Sequence, residues 1–197
     1  GILVSKYLYH DDVRNYGSGA AGMTNMLRTF GKKAAALTAA GDVLKGVAAV
    51  CIGRWLFVFL PADAAVSPYL GVYLTAILAV VGHTKPIYFG FKGGKGVLVA
   101  GGAILAVQPI LLPVLTVVFL LCLVPTGMVS LGSIAMAASY PVLTLIYGLL
   151  KGFAADDLIV CVVGAAIMGG MVIWMHRANI QRIREGKEYR FGSKHKQ

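Results

Sequence analysis

The stretch that decides the fold is residues 97–124, which read VLVAGGAILAVQPILLPVLTVVFLLCLV. It holds no charged residue across 28 positions, and Val129–Leu150 and residues 158–175 are uncharged over 22 and 18 positions. A helix needs about 20 apolar residues to cross the hydrocarbon core of a bilayer. Because these blocks lack the alternation of a barrel strand, we expect transmembrane helices.

The composition of the whole chain agrees with insertion into a membrane. Of its 197 residues, 58% are hydrophobic and 13% are charged, and the mean hydropathy is +0.77. Soluble domains carry roughly 25% charged residues, which supply a polar surface that this chain lacks. We therefore predict an all-α, polytopic transmembrane helix bundle that forms a single domain over residues 1–197.

Six spans are predicted, and prolines divide the longest apolar block because proline cannot continue a helix. The spans are residues 34–60, residues 69–81, two shorter helices joined near Gln108 and Pro109 within residues 97–124, Val129–Leu150 with a kink at Pro141, and residues 158–175. Loops are predicted at residues 5–33, 61–68, 82–96 and 151–157, and a basic tail at residues 176–197. Because Gly1 is not methionine and residues 2–4 are apolar, we expect an earlier span to precede this sequence.

The positive charges lie on one side of this predicted topology. Residues 5–33, 82–96 and 176–197 together hold 15 of the 18 lysines and arginines. The loops of the opposite face carry Asp63, Lys151, Asp156 and Asp157. By the positive-inside rule, the three basic segments are expected in the cytoplasm. The net charge of +10 is therefore attributed to topology and not to nucleic-acid binding.

The first basic segment contains a glycine-rich stretch, residues 17–25 (GSGAAGMTN), followed by Arg28. The letters GSGAAG fit a GxGxxG pattern, but no strand precedes them, so a dinucleotide site is not supported. Glycines let backbone N–H groups approach an anion, and an arginine can fork onto phosphate oxygens. We expect this stretch to bind phosphate, and a flexible glycine loop is the alternative.

The second basic segment combines residues 82–86 (GHTKP) with residues 91–96 (FKGGKG). It lacks the spacing of a Walker A loop. Lys92 and Lys95 stand among three glycines where the helix at Val97 begins, and a helix start offers free N–H groups and a positive dipole end to phosphate. A basic cluster that binds anionic lipid head groups is the alternative.

The third basic segment places His176 and Asn179 three residues apart, hence on one helix face. A snorkelling basic helix end is the alternative.

Asp42 and Lys45 lie three residues apart inside the first predicted span. We expect them to form a structural ion pair or to contact a substrate. Cys51, Cys122 and Cys161 lie in apolar blocks without CxxC spacing, so neither a disulfide nor a metal site is expected.

Together these segments resemble the PlsY family, the bacterial acyl-phosphate:glycerol-3-phosphate acyltransferases. Residues 17–28 resemble the family pattern GSGNxGxTNxxR, residues 82–97 resemble GHxxPxxxxFKGGKGV, residues 176–188 resemble HRxNIxRLxxGxE, and residues 41–46 resemble the DxLKG segment. Ala20 stands where the family has asparagine. Either the loop backbone suffices without that side chain, or this copy is altered.

The resemblance implies seven helices, the first absent from this sequence, in a bacterial inner membrane. It implies transfer of a fatty acyl group from acyl phosphate to the sn-1 hydroxyl of glycerol 3-phosphate, giving lysophosphatidic acid and phosphate, the first step of phospholipid synthesis. The active-site loops and the C-terminus would be cytoplasmic. The expected partners are the two substrates, the bilayer and the soluble enzyme that makes acyl phosphate, with no cofactor and no nucleic acid.

The site residues expected from these motifs fall into two groups. The catalytic group is Ser18, Arg28, Lys92, Lys95, His176 and Asn179. The substrate-binding group is Gly17, Gly19, Thr24, Asn25, His83, Gly93, Gly94, Gly96 and Glu188. The resemblance suggests that a substrate phosphate assists the reaction, without a dedicated protein base. The chain has no HxxxxD dyad, no GxSxG elbow and no HExxH zinc motif.

Two other classes of function remain open at this point. A transporter or channel is favoured by the glycines, the prolines and the ionisable residues inside a helix. No internal repeat is visible, however, and the polar motifs gather at one face of the membrane instead of its midplane. A small structural or lipid-binding membrane protein is the third reading, in which the motifs bind lipid head groups without turnover.

Overall fold

The computed structural model describes residues 1–59 and 67–191, and every regular element in this part of the chain is helical. The helices are α1 (Ile2–Leu8), α2 (Met23–Phe57), α3 (Pro68–Thr84), α4 (Val97–Val107), α5 (Leu111–Thr126), α6 (Val129–Leu150), α7 (Ala155–Met175) and α8 (Arg177–Arg184). Single 3₁₀ turns occur at Val13–Asn15 and Ile87–Phe89. The predicted all-α fold is confirmed.

Four of these helices, α2, α3, α6 and α7, are long and apolar enough to cross a membrane. Helices α4 and α5 are apolar but shorter, at 11 and 16 residues. At 1.5 Å per residue, α4 is about 16 Å long, roughly half the length of the 22-residue α6. The fold is that of a multi-pass membrane protein, and the count of six spans stays a prediction.

The sequence pattern predicted two helix boundaries in the apolar blocks well. Helix α6 begins and ends at the predicted residues, and it continues unbroken through Pro141. Helices α4 and α5 are separate, as predicted, and Gln108 lies in the turn between them. Gln108 is only 2% exposed, and its side-chain oxygen lies 3.4 Å from the hydroxyl groups of Tyr73 and Thr144. The Gln108 side chain is therefore inside the bundle, while Pro109 and Ile110 of the same turn are exposed.

Several predicted loops proved wrong in part, because polar residues at a helix end resemble a loop. Helix α2 begins at Met23, within the predicted loop 5–33, although Gly31 departs from helical geometry with φ 82°. Helix α7 begins at Ala155, so Asp156 and Asp157 occupy its first turn, where the positive end of the helix dipole stabilises carboxylates. The predicted tail contains α8. Leu60, residues 61–66 of the predicted loop with Asp63, and Lys194 and Lys196 lie outside the described residues.

Helices α2 through α7 all contribute to the larger apolar core, and α1 forms a second, smaller cluster with the N-terminal half of α2. Helix α2 packs against α3 and α4, while α6 lies between α5 and α7. The α2 and α4 backbones are in close contact, because a Cβ atom at Gly46 would overlap the Val99 carbonyl and one at Gly102 would overlap the Val43 carbonyl. Such small residues allow close helix packing where water cannot drive association.

Candidate active site

A cavity of about 310 Å³ lies at the end of the bundle where four helices begin. Its lining includes Met23, Thr24 and Asn25 at the start of α2, Gly96, Val97 and Leu98 at the start of α4, Val129 and Ser130 at the start of α6, and His176 and Asn179 at the start of α8. The first N–H groups of a helix have no partner within the helix, and its dipole is positive there. Four such helix starts around one cavity favour an anionic ligand.

The cavity changes from polar to apolar as it extends away from the helix starts. Its apolar part lies between α4, α5 and α6 and is lined by Leu98, Gly101, Leu112, Thr116, Phe119, Ser133 and Met136. The two hydroxyl groups here donate within their own helices, from Thr116 to the Leu112 carbonyl at 2.8 Å and from Ser133 to the Val129 carbonyl at 2.9 Å. This cavity suits a ligand with an anionic head and an apolar tail.

One side of the polar part consists of residues 13–25 and is organised by Asn25. We call it the neutral wall because the hydrogen bonds that Asn25 makes join uncharged groups, although Arg14 belongs to the same stretch. Asn25 is 2% exposed, and its amide nitrogen donates to the carbonyls of Val13 at 3.1 Å and of Tyr16 and Ala20 at 3.0 Å. Its amide oxygen accepts from the backbone N–H of Ser18 at 3.2 Å. All four hydrogen bonds join uncharged groups.

Two glycines allow this loop to fold around Asn25. Gly17 and Gly19 adopt positive φ angles of 54° and 68°, which side-chain-bearing residues rarely adopt. A Cβ atom at Gly17 would also overlap the side-chain oxygen of Asn25. Neither glycine lines the cavity, so both act on the shape of the loop.

The opposite side, which we call the ionic wall, consists of Lys95, Ser130, Asn179, Arg182 and Glu188. One oxygen of the Glu188 carboxylate accepts from Asn179 Nδ2 at 2.7 Å and from Ser130 Oγ at 2.8 Å. Its other oxygen accepts from Arg182 Nε at 2.9 Å. Lys95 Nζ donates to Asn179 Oδ1 at 2.7 Å. A continuous set of hydrogen bonds thus joins the glycine–lysine loop, residues 85–96, to the C-terminal segment.

The charges of the ionic wall are adjusted by burial and by one another. Burial lowers the pKa of Lys95 to about 8, an effect that Glu188 opposes and that Arg182 and Arg28 strengthen. Burial opposes ionisation of Glu188, but the hydrogen bonds from Asn179, Ser130 and Arg182 outweigh it, so the pKa of Glu188 lies below its usual value. At pH 7 the wall therefore holds an ammonium and a carboxylate.

His176 is buried where α7 ends and α8 begins. Its Nδ1 atom lies 2.7 Å from the carbonyl oxygen of Val172, which can only accept, so Nδ1 carries the hydrogen. Burial, together with the nearby charge of Lys95, lowers the pKa of His176 to about 4. The imidazole is neutral at pH 7, and Nε2 is the nitrogen that can accept a hydrogen bond from a ligand.

Arg28 and Arg182 face the same aromatic ring at the rim of the cavity. Their guanidinium carbons lie 4.8 and 5.6 Å from the ring centroid of Tyr189, within the range of cation–π contact. Sequence reasoning missed both Tyr189 and Ser130. Two signals in the sequence could have pointed to them. Ser130 stands in the first turn of an apolar span, and Tyr189 directly follows Glu188.

His83 and Asp42 contribute a second polar group to the lining. Lys45 Nζ lies 2.6 Å from Asp42 Oδ1 and 2.6 Å from His83 Nδ1. The ion pair between Asp42 and Lys45 is therefore present, and its carboxylate belongs to a residue of the cavity lining. The sequence left open whether Asp42 forms a structural ion pair or contacts a substrate, and its position is compatible with both roles.

Ten of the fifteen residues expected from the sequence line the cavity. They are Ser18, Thr24, Asn25, Arg28, His83, Lys95, Gly96, His176, Asn179 and Glu188. The other five, Gly17, Gly19, Lys92, Gly93 and Gly94, lie outside the lining. A Cβ atom at Gly93 would overlap the His83 carbonyl, and one at Gly94 would overlap the His83 ring, so these glycines allow the loop to pack on His83.

The described residues, 1–59 and 67–191, contain no group of three or more His, Cys, Asp or Glu residues that could hold a metal ion. The three cysteines carry free thiols. Ala20 lines the cavity with a methyl group, while its carbonyl is held by Asn25.

Comparisons with known proteins agree on one family. A family model described as "Glycerol-3-phosphate acyltransferase" matches residues 1–186. Proteins named glycerol-3-phosphate acyltransferase from Clostridioides difficile (strain 630) and Neisseria meningitidis serogroup C are 41% and 36% identical over 192 residues, which cover 98% and 97% of this chain and 88% and 89% of those proteins.

Two solved structures have the same architecture. The crystal structure of PlsY (YgiH), an integral membrane glycerol 3-phosphate acyltransferase, in its glycerol 3-phosphate form gives a TM-score of 0.77 at 32% identity, over 97% of this chain and 88% of that chain. The lysophosphatidic acid form gives a TM-score of 0.70 at 33% identity, over 89% and 82%.

Proposed function

This chain belongs to the glycerol-3-phosphate acyltransferase family, and we propose that it transfers a fatty acyl group from acyl phosphate to the sn-1 hydroxyl of glycerol 3-phosphate. The products are lysophosphatidic acid and inorganic phosphate. This reaction begins phospholipid synthesis.

The shape and chemistry of the cavity support this proposal most strongly. Four helix starts, Lys95 and Arg28 surround its polar part, while α4, α5 and α6 line its apolar part. Acyl phosphate has an anionic head and an apolar chain, and glycerol 3-phosphate brings a second anion. Both phosphates fit the polar part, and the acyl chain fits the apolar part, next to the bilayer that supplies it.

In this proposal the protein positions two activated molecules and neutralises their charge. Lys95, Arg28, Ser18 and the N–H groups at the helix starts bind the phosphates. Lys92 is exposed outside the cavity, where its charge attracts anionic substrates. Gly17, Gly19, Gly93 and Gly94 shape the two loops, and Gly96 begins α4.

The hydroxyl oxygen of glycerol 3-phosphate attacks the acyl carbon, and an ester bond forms as the bond from that carbon to the phosphate oxygen breaks. Nε2 of His176 accepts a hydrogen bond from the hydroxyl and orients it, together with Asn179. Because the pKa of His176 is about 4, its ring is a weak base, and the hydroxyl proton leaves with the departing phosphate.

We further propose a bacterial inner membrane location, with the cavity open to the cytoplasm. The positive-inside rule supports this orientation, because the basic segments that carry the motifs lie at the same end of the bundle as the cavity.

The donor is tested with the purified protein in nanodiscs and radiolabelled glycerol 3-phosphate. Palmitoyl phosphate, palmitoyl-CoA and palmitoyl–acyl carrier protein are offered separately, and lysophosphatidic acid and phosphate are measured. We expect product from palmitoyl phosphate alone, with one phosphate released per ester. Product from either thioester at a comparable rate would contradict the proposed donor.

The site is tested in the same assay with Arg28→Ala. Loss of a phosphate ligand should lower the rate about tenfold to a hundredfold, or about 1.4–2.8 kcal/mol. Arg54→Ala is the matched control, because Arg54 donates to the Ala106 carbonyl at 2.6 Å and does not line the cavity. Full activity of folded Arg28→Ala would contradict the assignment.

A further inference from the structure

Two loops that lie far apart in the sequence meet beside the cavity, and Arg14 joins them. Arg14 Nη1 donates to the carbonyl of Phe89 at 2.7 Å and to the carbonyl of Lys92 at 3.1 Å. A backbone hydrogen bond from Ala21 to the Gly93 carbonyl, at 3.4 Å, adds to this junction. The glycine–lysine loop, residues 85–96, is thereby fixed to the neutral wall.

The guanidinium of Arg14 is almost fully used by these contacts and by Asp12. Its Nε donates to Asp12 Oδ1 at 2.9 Å, and its Nη2 donates to Asp12 Oδ2 at 2.6 Å. Four of the five N–H groups of an arginine are thus engaged. The side-chain hydrogen bond from Arg14 is the largest cause that lowers the pKa of Asp12 to about 2. Arg14 also does not line the cavity, so it is not placed to bind a substrate phosphate.

Fixing this loop also fixes Lys95. Two glycines lie in the sequence between Lys92, whose carbonyl Arg14 contacts, and Lys95. Gly93 donates to the Thr84 carbonyl at 3.3 Å, and Gly94 donates to the His83 carbonyl at 3.2 Å. Arg14 and the end of α3 therefore both hold the loop, at neighbouring residues. Lys95 follows directly and reaches Asn179 at 2.7 Å.

We propose that Arg14 is a positioning residue, which holds the glycine–lysine loop against the neutral wall so that Lys95 faces the cavity. Its effect on catalysis rests on the acyl transfer proposed above, whereas its effect on the loop does not. Arginine is required at this position because a planar fork must reach a carboxylate and two carbonyls at once. The single ammonium group of a lysine cannot reach all of them.

The test compares Arg14→Lys and Arg14→Gln with Arg54→Lys and Arg54→Gln. Both Arg14 variants should lose at least about tenfold in kcat/KM for glycerol 3-phosphate, because small displacements of a positioning group are costly. Lysine should give no rescue. Amide hydrogen exchange of residues 87–96 should become at least about tenfold faster, while exchange in α6 and α7 stays unchanged. The Arg54 variants should behave as wild type in both measurements.

Asp12→Asn tests the same contact without changing Arg14, which covers the case in which an Arg14 variant folds poorly. Asp12→Asn should give a smaller but similar local increase in exchange, because Arg14 loses its anchor and keeps its two carbonyl contacts. The double variant Asp12→Asn/Arg14→Gln should be no worse than Arg14→Gln alone, since both act through one contact.

Three outcomes would overturn the proposal: activity of Arg14→Lys within twofold of wild type, unchanged exchange of residues 87–96, or faster exchange throughout the bundle. The first would indicate a role for charge alone, and the last a general role in folding. Wild-type protein that is inactive with acyl phosphate would overturn the proposed donor instead, and the exchange measurement would still decide the role of Arg14.

Discussion

The neutral wall and the ionic wall face the same cavity but are held together by different chemistry. Asn25 holds the neutral wall through four hydrogen bonds between uncharged groups. Glu188 holds the ionic wall through a carboxylate that accepts from Asn179, Ser130 and Arg182. The first arrangement depends on shape, and the second depends on charge and therefore on pH.

This difference assigns the two walls separate tasks in the proposed reaction. The shape of the neutral wall is fixed by hydrogen bonds between uncharged groups, which preorganises the site without a group that titrates near neutral pH. The ionic wall holds Lys95, a partly buried cation of the cavity, and the charge of Glu188 partly offsets the effect of burial on Lys95. Four predictions test this division, from the largest expected effect to the smallest.

Removal of the Lys95 ammonium should have the largest effect. Lys95→Met is expected to lower kcat/KM for acyl transfer by about 10²–10³-fold, because a preorganised donor to a developing charge is lost. Lys85→Met is the control, since Lys85 is exposed at the end of α3 and lies outside the cavity lining. A loss below about threefold in Lys95→Met would remove Lys95 from the site.

A change at the centre of the neutral wall should come next. Asn25→Asp removes the amide donors and sets a carboxylate against three carbonyls, so we expect about a hundredfold loss of activity. A buried group left without partners also destabilises the fold, and the melting temperature should fall. If Asn25→Asp retained both activity and melting temperature, the loop would not depend on this amide.

The equivalent isosteric change in the ionic wall should cost less. Glu188→Gln preserves the size of the side chain and one acceptor oxygen, so about a tenfold loss is expected. The melting temperature should change less than in Asn25→Asp, because Arg182 is partly exposed and can be solvated. A larger loss in Glu188→Gln than in Asn25→Asp would reverse the order that the two walls predict.

The pH dependence should give the smallest effect. Lys95 is charged below its pKa of about 8 and loses that charge as the pH rises, so kcat/KM should fall about threefold between pH 7.5 and 8.5. Lys95→Arg keeps its charge across this range, and its profile should be flat if it retains measurable activity. An identical fall in wild type and Lys95→Arg would assign the pH effect to another group.

The sequence was sufficient for features that depend on local pattern. A side chain that faces lipid must be apolar, so an uninterrupted apolar block predicted α6 at both ends. The prolines in the longest block predicted the separation of α4 from α5. The three basic segments also pointed to residues that now line one cavity, including Arg28, Lys95 and His176.

The sequence could not predict features that depend on contacts between distant segments. Arg14 bonds to carbonyls 75 and 78 residues away, and nothing in the letters around it indicates that partner. Gly93 and Gly94 resemble phosphate-binding glycines, but their closest neighbour is His83. The sequence does not distinguish Asn25 from other polar loop residues, because only the structure shows its four hydrogen bonds.

The central claim is that substrate phosphate binds between the two walls. A crystal structure of this protein soaked with glycerol 3-phosphate tests it most directly. We predict the phosphate within hydrogen-bonding distance of Lys95 Nζ and of the N–H groups at the start of α2. A phosphate bound instead at the exposed Lys85 and Lys92, with the cavity lacking ligand density, would contradict the account.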